Sequence, residues 1–257
     1  IKISEIDDFK NHPYKVELGD ELNDLVESIK LNGLLVPIVV RRKENDRYEL
    51  LSGHRRKKVY EILGLEEIDA IIKDLNDDES TIFMVDSNMY REKLLPSEKA
   101  FAYRMKMEAM KHQGKTSCYY DTKLRSDEKL SEKSNDNARQ IQRYIRLTCL
   151  IPELLEIVDN SRKLKDKPNL TMGLLPALEL SFLSKQEQQI VYSVITYEDA
   201  TPSHSQAIRI RKLSKKKLLT FDDIDKILLE EKGNQHEKNS KEEVLTGRKN
   251  ILGHQNK

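Results

Sequence analysis

The runs that read as β-strands, bounded by turn residues, lie within the first 75 positions of this 257-residue chain. Three strand-like runs occur there, at about 36–41, 48–51 and 68–72, between segments of helical periodicity. Beyond residue 77 the strand signal fades, and helical spacing recurs to about residue 232. The sequence therefore predicts an N-terminal α/β domain followed by an all-α region, with a mostly helical chain overall.

Glycine and proline residues indicate where the predicted helices begin and end. An amphipathic helix built on Leu22, Leu25, Val26 and Ile29 is expected to stop at Asn32-Gly33, and a short helix from 55 to 63 is expected to stop at Gly64. Pro96-Ser97 indicates the start of a further helix. We therefore predict a first domain at 1–95, a helical domain at 96–232, and a polar, disordered tail at 233–257.

Composition restricts the classes of function. Charged residues make up 35% of the chain, but the net charge is only +1, so any surface for nucleic acid must be local. The two cysteines, Cys118 and Cys149, form no CxxC pair, which indicates a reducing compartment without a zinc or disulfide framework. Because no apolar run reaches the length of a membrane span, we expect a cytoplasmic protein without membrane contact.

The junction of the second strand-like run and the following helix has the features of an anion site. Gly53 permits a sharp turn, and the helix start that follows presents N–H groups and a positive dipole end. Arg55 and Arg56 add guanidinium groups suited to phosphate oxygens. Further along, Asn88 is a candidate ligand for a hydrated metal and Arg91 a candidate phosphate contact. The alternative is ordinary surface arginines and helix capping.

Residues 126–147 have the proportions of a helix-turn-helix. A first helix is expected from Ser126 to about Lys133, and a second from Ala138 to Leu147 with Ala138, Ile141 and Ile145 on its apolar face. The second helix contains no acidic residue. Its candidate DNA contacts are Arg139, Gln140, Gln142, Arg143 and Arg146, the last one to phosphate. The alternative is a solvated basic helix face.

A second basic cluster is a weaker candidate for phosphate contacts without sequence preference. It comprises Arg209, Arg211, Lys212, Lys215, Lys216 and Lys217. A lysine-rich helix end exposed to solvent is an equally good interpretation.

Taken together, three motifs resemble the ParB family of chromosome and plasmid partition proteins, in the form found on mobile elements. They read GLLVPIVVR at 33–41, SGHRR at 52–56 and SNMYREKLLPSEKA at 87–100. The resemblance implies a CTP-binding N-terminal domain, Mg²⁺, a specific site on double-stranded DNA, a homodimer that clamps DNA, a ParA-type ATPase partner and association with the nucleoid or a plasmid. Carried over by motif, the nucleotide contacts are Gly33, Val36, Pro37, Arg41, Gly53, His54, Arg55, Arg56, Asn88 and Arg91, with Asn88 also at the metal.

This chain departs from the family pattern in its third motif. Ser87 stands where the family usually has the glutamate that is associated with metal handling and CTP hydrolysis. Because a hydroxyl is a poor general base at neutral pH, we expect weak or absent CTP turnover. The preferred interpretation is a DNA-binding protein switched by CTP. The alternatives are a nucleotide hydrolase or nuclease with the same N-terminal fold, and a plain transcriptional repressor without nucleotide binding.

Overall fold

The structure is a computed structural model that describes residues 1–15, 19–89, 91, 94–116, 136–162, 170–217 and 219–230. These residues form two compact units that divide between Thr148 and Cys149. The predicted domain boundary at residue 95 stays a prediction. The predicted tail at 233–257 and the first helix of the predicted helix-turn-helix lie outside the described residues.

The first unit contains a four-stranded mixed sheet in the order β1-β3-β2-β4. The strands are β1 (Ile6–Asp7), β2 (Ile38–Arg42), β3 (Tyr48–Ser52) and β4 (Ala70–Lys73). β2 and β3 form an antiparallel hairpin, whereas β1 runs parallel to β3 and β4 parallel to β2. The three predicted strands are thereby confirmed, and the two-residue β1 is the one that the sequence analysis missed.

Five helices of the first unit are described. They are α1 (Asp20–Asn32), α2 (His54–Ile62), α3 (Asp77–Asn88), α4 (Pro96–Thr116) and α5 (Ala138–Leu147). Gly33 ends α1 with a positive φ of 69°, and a capping box between Asn76 and Glu79 begins α3. The predicted α/β class, with helices dominating the remainder, is confirmed.

Two apolar clusters hold the α/β part of the first unit together. One joins α1 and α2 to the central strands through fully buried Ile38, Val40 and Leu50. The other lies where α3 and α4 meet the sheet and includes Leu51 and Met84. Successive residues of β3 therefore serve different clusters, which is the expected result of side chains alternating across a strand.

The second unit is helical in its described part. Its helices are α6 (Pro152–Asn160), α7 (Leu174–Leu180), α8 (Lys185–Tyr197), α9 (His204–Lys215) and α10 (Phe221–Leu229). Capping boxes begin three of them, led by Ser184, Ser203 and Thr220. No helix in the described part of the chain has the length and apolar character needed to cross a membrane.

Gln188 organises the start of the second unit. Its side chain is fully buried, and its Oε1 accepts from the Ile151 N–H at 2.8 Å. Its Nε2 donates to the carbonyls of Cys149, at 3.1 Å, and Leu183, at 3.0 Å. One amide therefore pairs three backbone groups, and two of them, the Ile151 N–H and the Leu183 carbonyl, would otherwise be buried without partners. The third, the Cys149 carbonyl, also accepts from Lys185 Nζ at 2.8 Å.

Replacing Gln188 by leucine keeps the side-chain volume but leaves the Ile151 N–H and the Leu183 carbonyl unpaired. We expect Q188L to lower the free energy of unfolding by about 2–4 kcal/mol, since each stranded polar group costs about 1–3 kcal/mol. Urea denaturation followed by circular dichroism measures the change. The control is Q189L at the exposed neighbouring position, where we expect a change within about 0.5 kcal/mol. Equal effects of the two substitutions would contradict this role of Gln188.

Candidate functional site

A cavity of 660 Å³ opens in the first unit beside the start of α2. The end of β3, the loop between α1 and β2, and the end of α3 all contribute to its wall. Residues from all three sequence motifs line it, namely Gly33, Val36, Gly53, His54, Arg55, Arg56, Asn88 and Arg91. The fold thus brings together segments that lie more than fifty residues apart in the chain.

Gly53 sets the position of α2 at the cavity wall. Its φ of 104° is a left-handed conformation, and it serves as the N-cap without a side-chain hydrogen bond to the helix. A Cβ atom at this position would lie 2.8 Å from Ile38 Cγ2, in the fully buried start of β2. Only glycine satisfies both conditions without strain. The first turn of α2 contains no acidic residue that would neutralise the positive end of the helix dipole at the cavity.

Arg56 links the motif at 52–56 to the motif at 33–41 by hydrogen bonds. Its Nη1 donates to the carbonyl oxygens of Val36, at 2.5 Å, and Pro37, at 2.6 Å. Burial lowers the pKa of Arg56 from its ordinary value. The guanidinium therefore stabilises the loop between α1 and β2 and places its positive charge at the cavity wall.

Arg55 is the more available of the two adjacent arginines. Its Nη1 lies 3.2 Å from Glu21 Oε2, and that carboxylate is itself largely exposed. An exposed ion pair of this kind contributes little to stability. A phosphate that enters the cavity can therefore compete with Glu21 for the Arg55 guanidinium at small cost.

The third motif supplies polar groups from the end of α3. Asn88 Nδ2 donates to the Met84 carbonyl at 2.9 Å and to Ser87 Oγ at 3.2 Å, so its Oδ1 is the atom suited to a cation. Ser87 Oγ in turn donates to the Met84 carbonyl. No cluster of three or more metal-ligating side chains occurs among the described residues. An amide oxygen is a ligand that Mg²⁺ accepts, so Asn88 Oδ1 is chemically suited to the predicted role.

Two residues predicted for the nucleotide site lie outside the cavity lining. Arg41 faces β3 and α3, where its guanidinium pairs with Glu49 at 2.5 Å and with Asp77 at 2.7 Å. Arg41 and Glu49 are also register partners across the hairpin. The Arg41 guanidinium is thus engaged by Glu49 and Asp77. Pro37 contributes to the site through its carbonyl oxygen, which accepts a hydrogen bond from Arg56.

Two stacked histidines form part of the cavity wall. The sequence predicts His54 as a site residue but not His12. The rings of His12 and His54 lie 3.6 Å apart between centroids, at an interplanar angle of 28°. Burial lowers the pKa of His12, and burial together with His12 lowers the pKa of His54 to about 3. His12 belongs to none of the three motifs. Its contact with His54 spans 42 positions, and no local spacing predicts it.

The candidate DNA-reading helix, α5, begins at Asn137, whose side chain accepts from the Gln140 N–H at 2.9 Å. Its apolar face differs from the predicted one: Ile141, Tyr144 and Leu147 are buried, while Ala138 and Ile145 are only half-buried. Arg139 and Gln142 are exposed, whereas Gln140, Arg143 and Arg146 are half-buried. The side chains of Gln140 and Arg143 lie within hydrogen-bond distance of each other, at 3.4 Å.

An ionic contact positions the start of α5 on α4. Asp136 accepts a 2.6 Å hydrogen bond from the Tyr103 hydroxyl and pairs with Lys99 at 3.0 Å. The Lys99 ammonium also lies 5.2 Å from the centroid of the Tyr144 ring. These contacts fix the N-terminal end of α5, which is the end that would reach base edges in a helix-turn-helix reader.

The second basic cluster divides into two groups. Arg209 pairs with Glu230, and Arg211 pairs with Glu179 and stacks over the Phe182 ring. Arg211 is held by a mostly buried carboxylate and an aromatic ring, so it is a poor candidate for a phosphate contact. Arg209 and Glu230 are both about half exposed, so their ion pair is weaker evidence against such a contact. The lysines at 212 and 215–217 are exposed at the end of α9.

Comparison with known proteins places the cavity in a recognised domain. Residues 1–89 match the ParB N-terminal domain. The chain is similar to a nucleoid occlusion protein of Listeria innocua, with 42% identity over 85 residues, which is 33% of this chain and 30% of that protein. It is also similar to one from a Geobacillus species, with 36% identity over 108 residues, or 42% of this chain and 38% of that protein. The match therefore covers well under half of these relatives.

Among solved structures, the chain is similar to a C-terminally truncated chromosome-partitioning protein ParB from Caulobacter crescentus, complexed to the centromeric parS site. The TM-score is 0.45 at 18% identity, over 84% of this chain and 97% of that one. A second structure of that protein, complexed with CTP-gamma-S, is similar with a TM-score of 0.33 at 20% identity, over 76% of this chain and 96% of that one.

Because α2 approaches β2 so closely at Gly53, we expect G53A to reduce the free energy of unfolding by about 2–4 kcal/mol, from overpacking together with backbone strain. The control is G64A, which has a similar positive φ of 66° but no atom within 4 Å of the added Cβ. We expect that change to cost only about 1 kcal/mol, from the backbone alone. Urea denaturation distinguishes the two. An equal cost would show that Ile38 does not restrict this position.

Proposed function

We propose that this chain binds a specific site on double-stranded DNA and uses CTP to switch how two subunits clamp that DNA, on the premise that residues 1–89 match the ParB N-terminal domain. The observation that carries the proposal is the convergence of the three motifs on one cavity at the positive end of α2. The choice of CTP among nucleotides follows from the resemblance of those motifs to the ParB family.

The cavity has the chemistry to hold a triphosphate. The first turn of α2 offers backbone N–H groups and a positive dipole end, and Arg55, Arg56 and Arg91 surround it with positive charge. A Mg²⁺ ion bound with the nucleotide would neutralise phosphate charge, with Asn88 as its protein ligand. Arg56 is already engaged with the 33–37 loop, so we assign to Arg55 and Arg91 the direct phosphate contacts.

The proposal treats nucleotide as a switch more than as a substrate. The Ser87 hydroxyl donates to a helix carbonyl and provides no carboxylate to activate water. We therefore propose slow or absent CTP hydrolysis. A ligand shifts a conformational equilibrium only by its differential affinity for the two states. The proposed hinge lies near residues 91–97, because this segment joins the third motif to α4, the helix on which α5 is positioned. Residues 92 and 93 of this segment lie outside the described residues.

DNA recognition is assigned to α5. Its polar side chains include two arginines that suit guanine and two glutamines that suit adenine. The proposed base contacts are Arg139, Gln140, Gln142 and Arg143, with Arg146 on phosphate. A plain repressor would use the same helix without nucleotide, and a nuclease or hydrolase would release product. Nucleotide titration, phosphate release and DNA cleavage therefore separate these functions.

The nucleotide site is tested by isothermal titration of the full chain with each nucleoside triphosphate and Mg²⁺. We expect CTP to bind most tightly and R55A to weaken it about 10–100-fold, the effect of losing one charge-assisted hydrogen bond. The control is R42A, which removes an exposed arginine paired with Asp46 on the hairpin, outside the cavity. Unchanged CTP affinity in R55A would contradict the assignment of Arg55.

The DNA site is tested by selecting preferred sequences from a random library and measuring affinities for single-base variants. We expect R143A to lose about 1–3 kcal/mol on the preferred site and to relax the preference at one base position. R42A again serves as the control. A uniform loss on all sequences would make Arg143 a phosphate contact, and an unchanged preference would remove α5 as the reader.

A further inference from the structure

The stacked pair of His12 and His54 has unused hydrogen-bonding capacity at the wall of the cavity. The Nε2 atoms of both rings are buried and have no hydrogen-bond partner among the described residues. A buried polar atom without a partner costs about 1–3 kcal/mol, and such atoms are rare in native proteins. Both rings stack on each other and line the proposed anion site, so a ligand in that cavity is the candidate partner for these atoms.

The bond at the other side of the His12 ring fixes its tautomer. His12 Nδ1 lies 2.8 Å from the Tyr14 carbonyl oxygen, which only accepts hydrogen bonds. Nδ1 therefore carries the proton in the neutral ring, and Nε2 presents a lone pair. A lone pair repels a phosphate oxygen, so His12 serves an anion only after Nε2 is protonated as well.

Burial, together with the charges around the pair, disfavours protonation of both rings in the protein without ligand. The charged groups that face them are Asp8, Lys57 and Arg91. Asp8 favours protonation, but its carboxylate is paired with the Lys57 ammonium at 2.8 Å. Burial and the positive charge of Arg91 lower the pKa of both histidines. A triphosphate would add several negative charges close by and reverse this balance.

We propose that the His12–His54 pair takes up one proton when a nucleoside triphosphate enters the cavity, and that the resulting imidazolium binds the phosphate chain. This inference rests on the proposed function, and it adds His12 to the binding residues. Only one ring is charged, because a second positive charge at stacking distance is unfavourable. The proton is taken from solvent and is held by one of the two rings.

The sign of the pH dependence follows from linkage. The pKa of the pair is below the usual histidine value without ligand and is raised by the bound anion, so the complex holds more protons than the free protein. Nucleotide affinity therefore rises as pH falls, by up to about tenfold per pH unit between the two pKa values. Above the pKa of the complex, affinity is independent of this pair.

The experiment is isothermal titration of the full chain with CTP and excess Mg²⁺, which keeps the terminal phosphate ionised. Titrations at about pH 6.5 in two buffers of different ionisation enthalpy give the number of protons taken up. We expect between about 0.5 and 1 proton for the native chain. H12F retains an aromatic ring against His54 but removes the donor, and we expect its uptake to approach zero. H54Q tests the second ring by the same measurement.

The pH profile separates a protonation role from simple packing. H12F should bind CTP about tenfold more weakly than the native chain near pH 6 but equally well near pH 8.5, where the native pair is neutral in both states. The control is H112F, which removes an exposed histidine on α4 paired with Asp78 and should keep the native uptake. Equal weakening of H12F at both pH values would overturn the inference.

The two proposals fail in different ways. If CTP binds to the native chain without proton uptake, the histidine inference is wrong and the nucleotide site stands. If uptake persists unchanged in both H12F and H54Q, the proton binds elsewhere and the inference is also wrong. If no nucleoside triphosphate binds at any pH, the proposed function fails and the inference fails with it.

Discussion

The cavity depends on the close packing of Gly53 against Ile38. Because a backbone without a side chain lies directly on the first residue of β2, α2 begins at the sheet and its positive end faces the loop after α1. The left-handed turn at Gly53 redirects the chain from the end of β3 into that helix. A larger residue would separate α2 from β2 and open the wall that His54, Arg55 and Arg56 share.

From this constraint follows a division of roles between two neighbouring arginines. They occupy successive positions at the start of α2 and therefore point in different directions around the helix. Arg56 points toward the sheet and holds the Val36 and Pro37 carbonyls, whereas Arg55 points toward Glu21 on α1. One guanidinium thus maintains the shape of the cavity, and the other is left in an exposed, exchangeable ion pair. From the sequence, both arginines are predicted to bind phosphate. In the fold, Arg56 bonds to backbone carbonyls and only Arg55 is in an exposed ion pair.

The sequence predicted the elements well because their signals are local. Glycine at helix ends, alternation in strands and an asparagine cap before α5 depend on a few neighbouring residues, and the structure places the elements accordingly. Contacts between distant segments could not be predicted from the sequence. The commitment of Arg41 to Glu49 and Asp77 requires knowing the hairpin register, and the stacking of His12 on His54 requires the tertiary fold. The apolar face of α5 was misjudged because Tyr144 packs beside Tyr103 on α4, so an amphipathic ring was buried in place of Ala138.

A buried carboxylate connects the 12–15 segment, which carries His12 of the cavity wall, to α4. Glu98, in the first turn of α4, accepts from the Lys15 N–H at 2.8 Å and from the Leu95 N–H at 2.9 Å, and it is almost fully buried. Lys15 follows closely on His12, and Tyr14 between them donates from its hydroxyl to the Val85 carbonyl on α3. A displacement of the 12–15 segment must therefore carry the start of α4 with it or break charge-assisted hydrogen bonds in a desolvated position, which is costly. Since α5 is positioned on α4 through Asp136, Lys99 and Tyr103, the proposed switch has a continuous set of contacts from the proposed nucleotide site to the helix that we propose reads DNA.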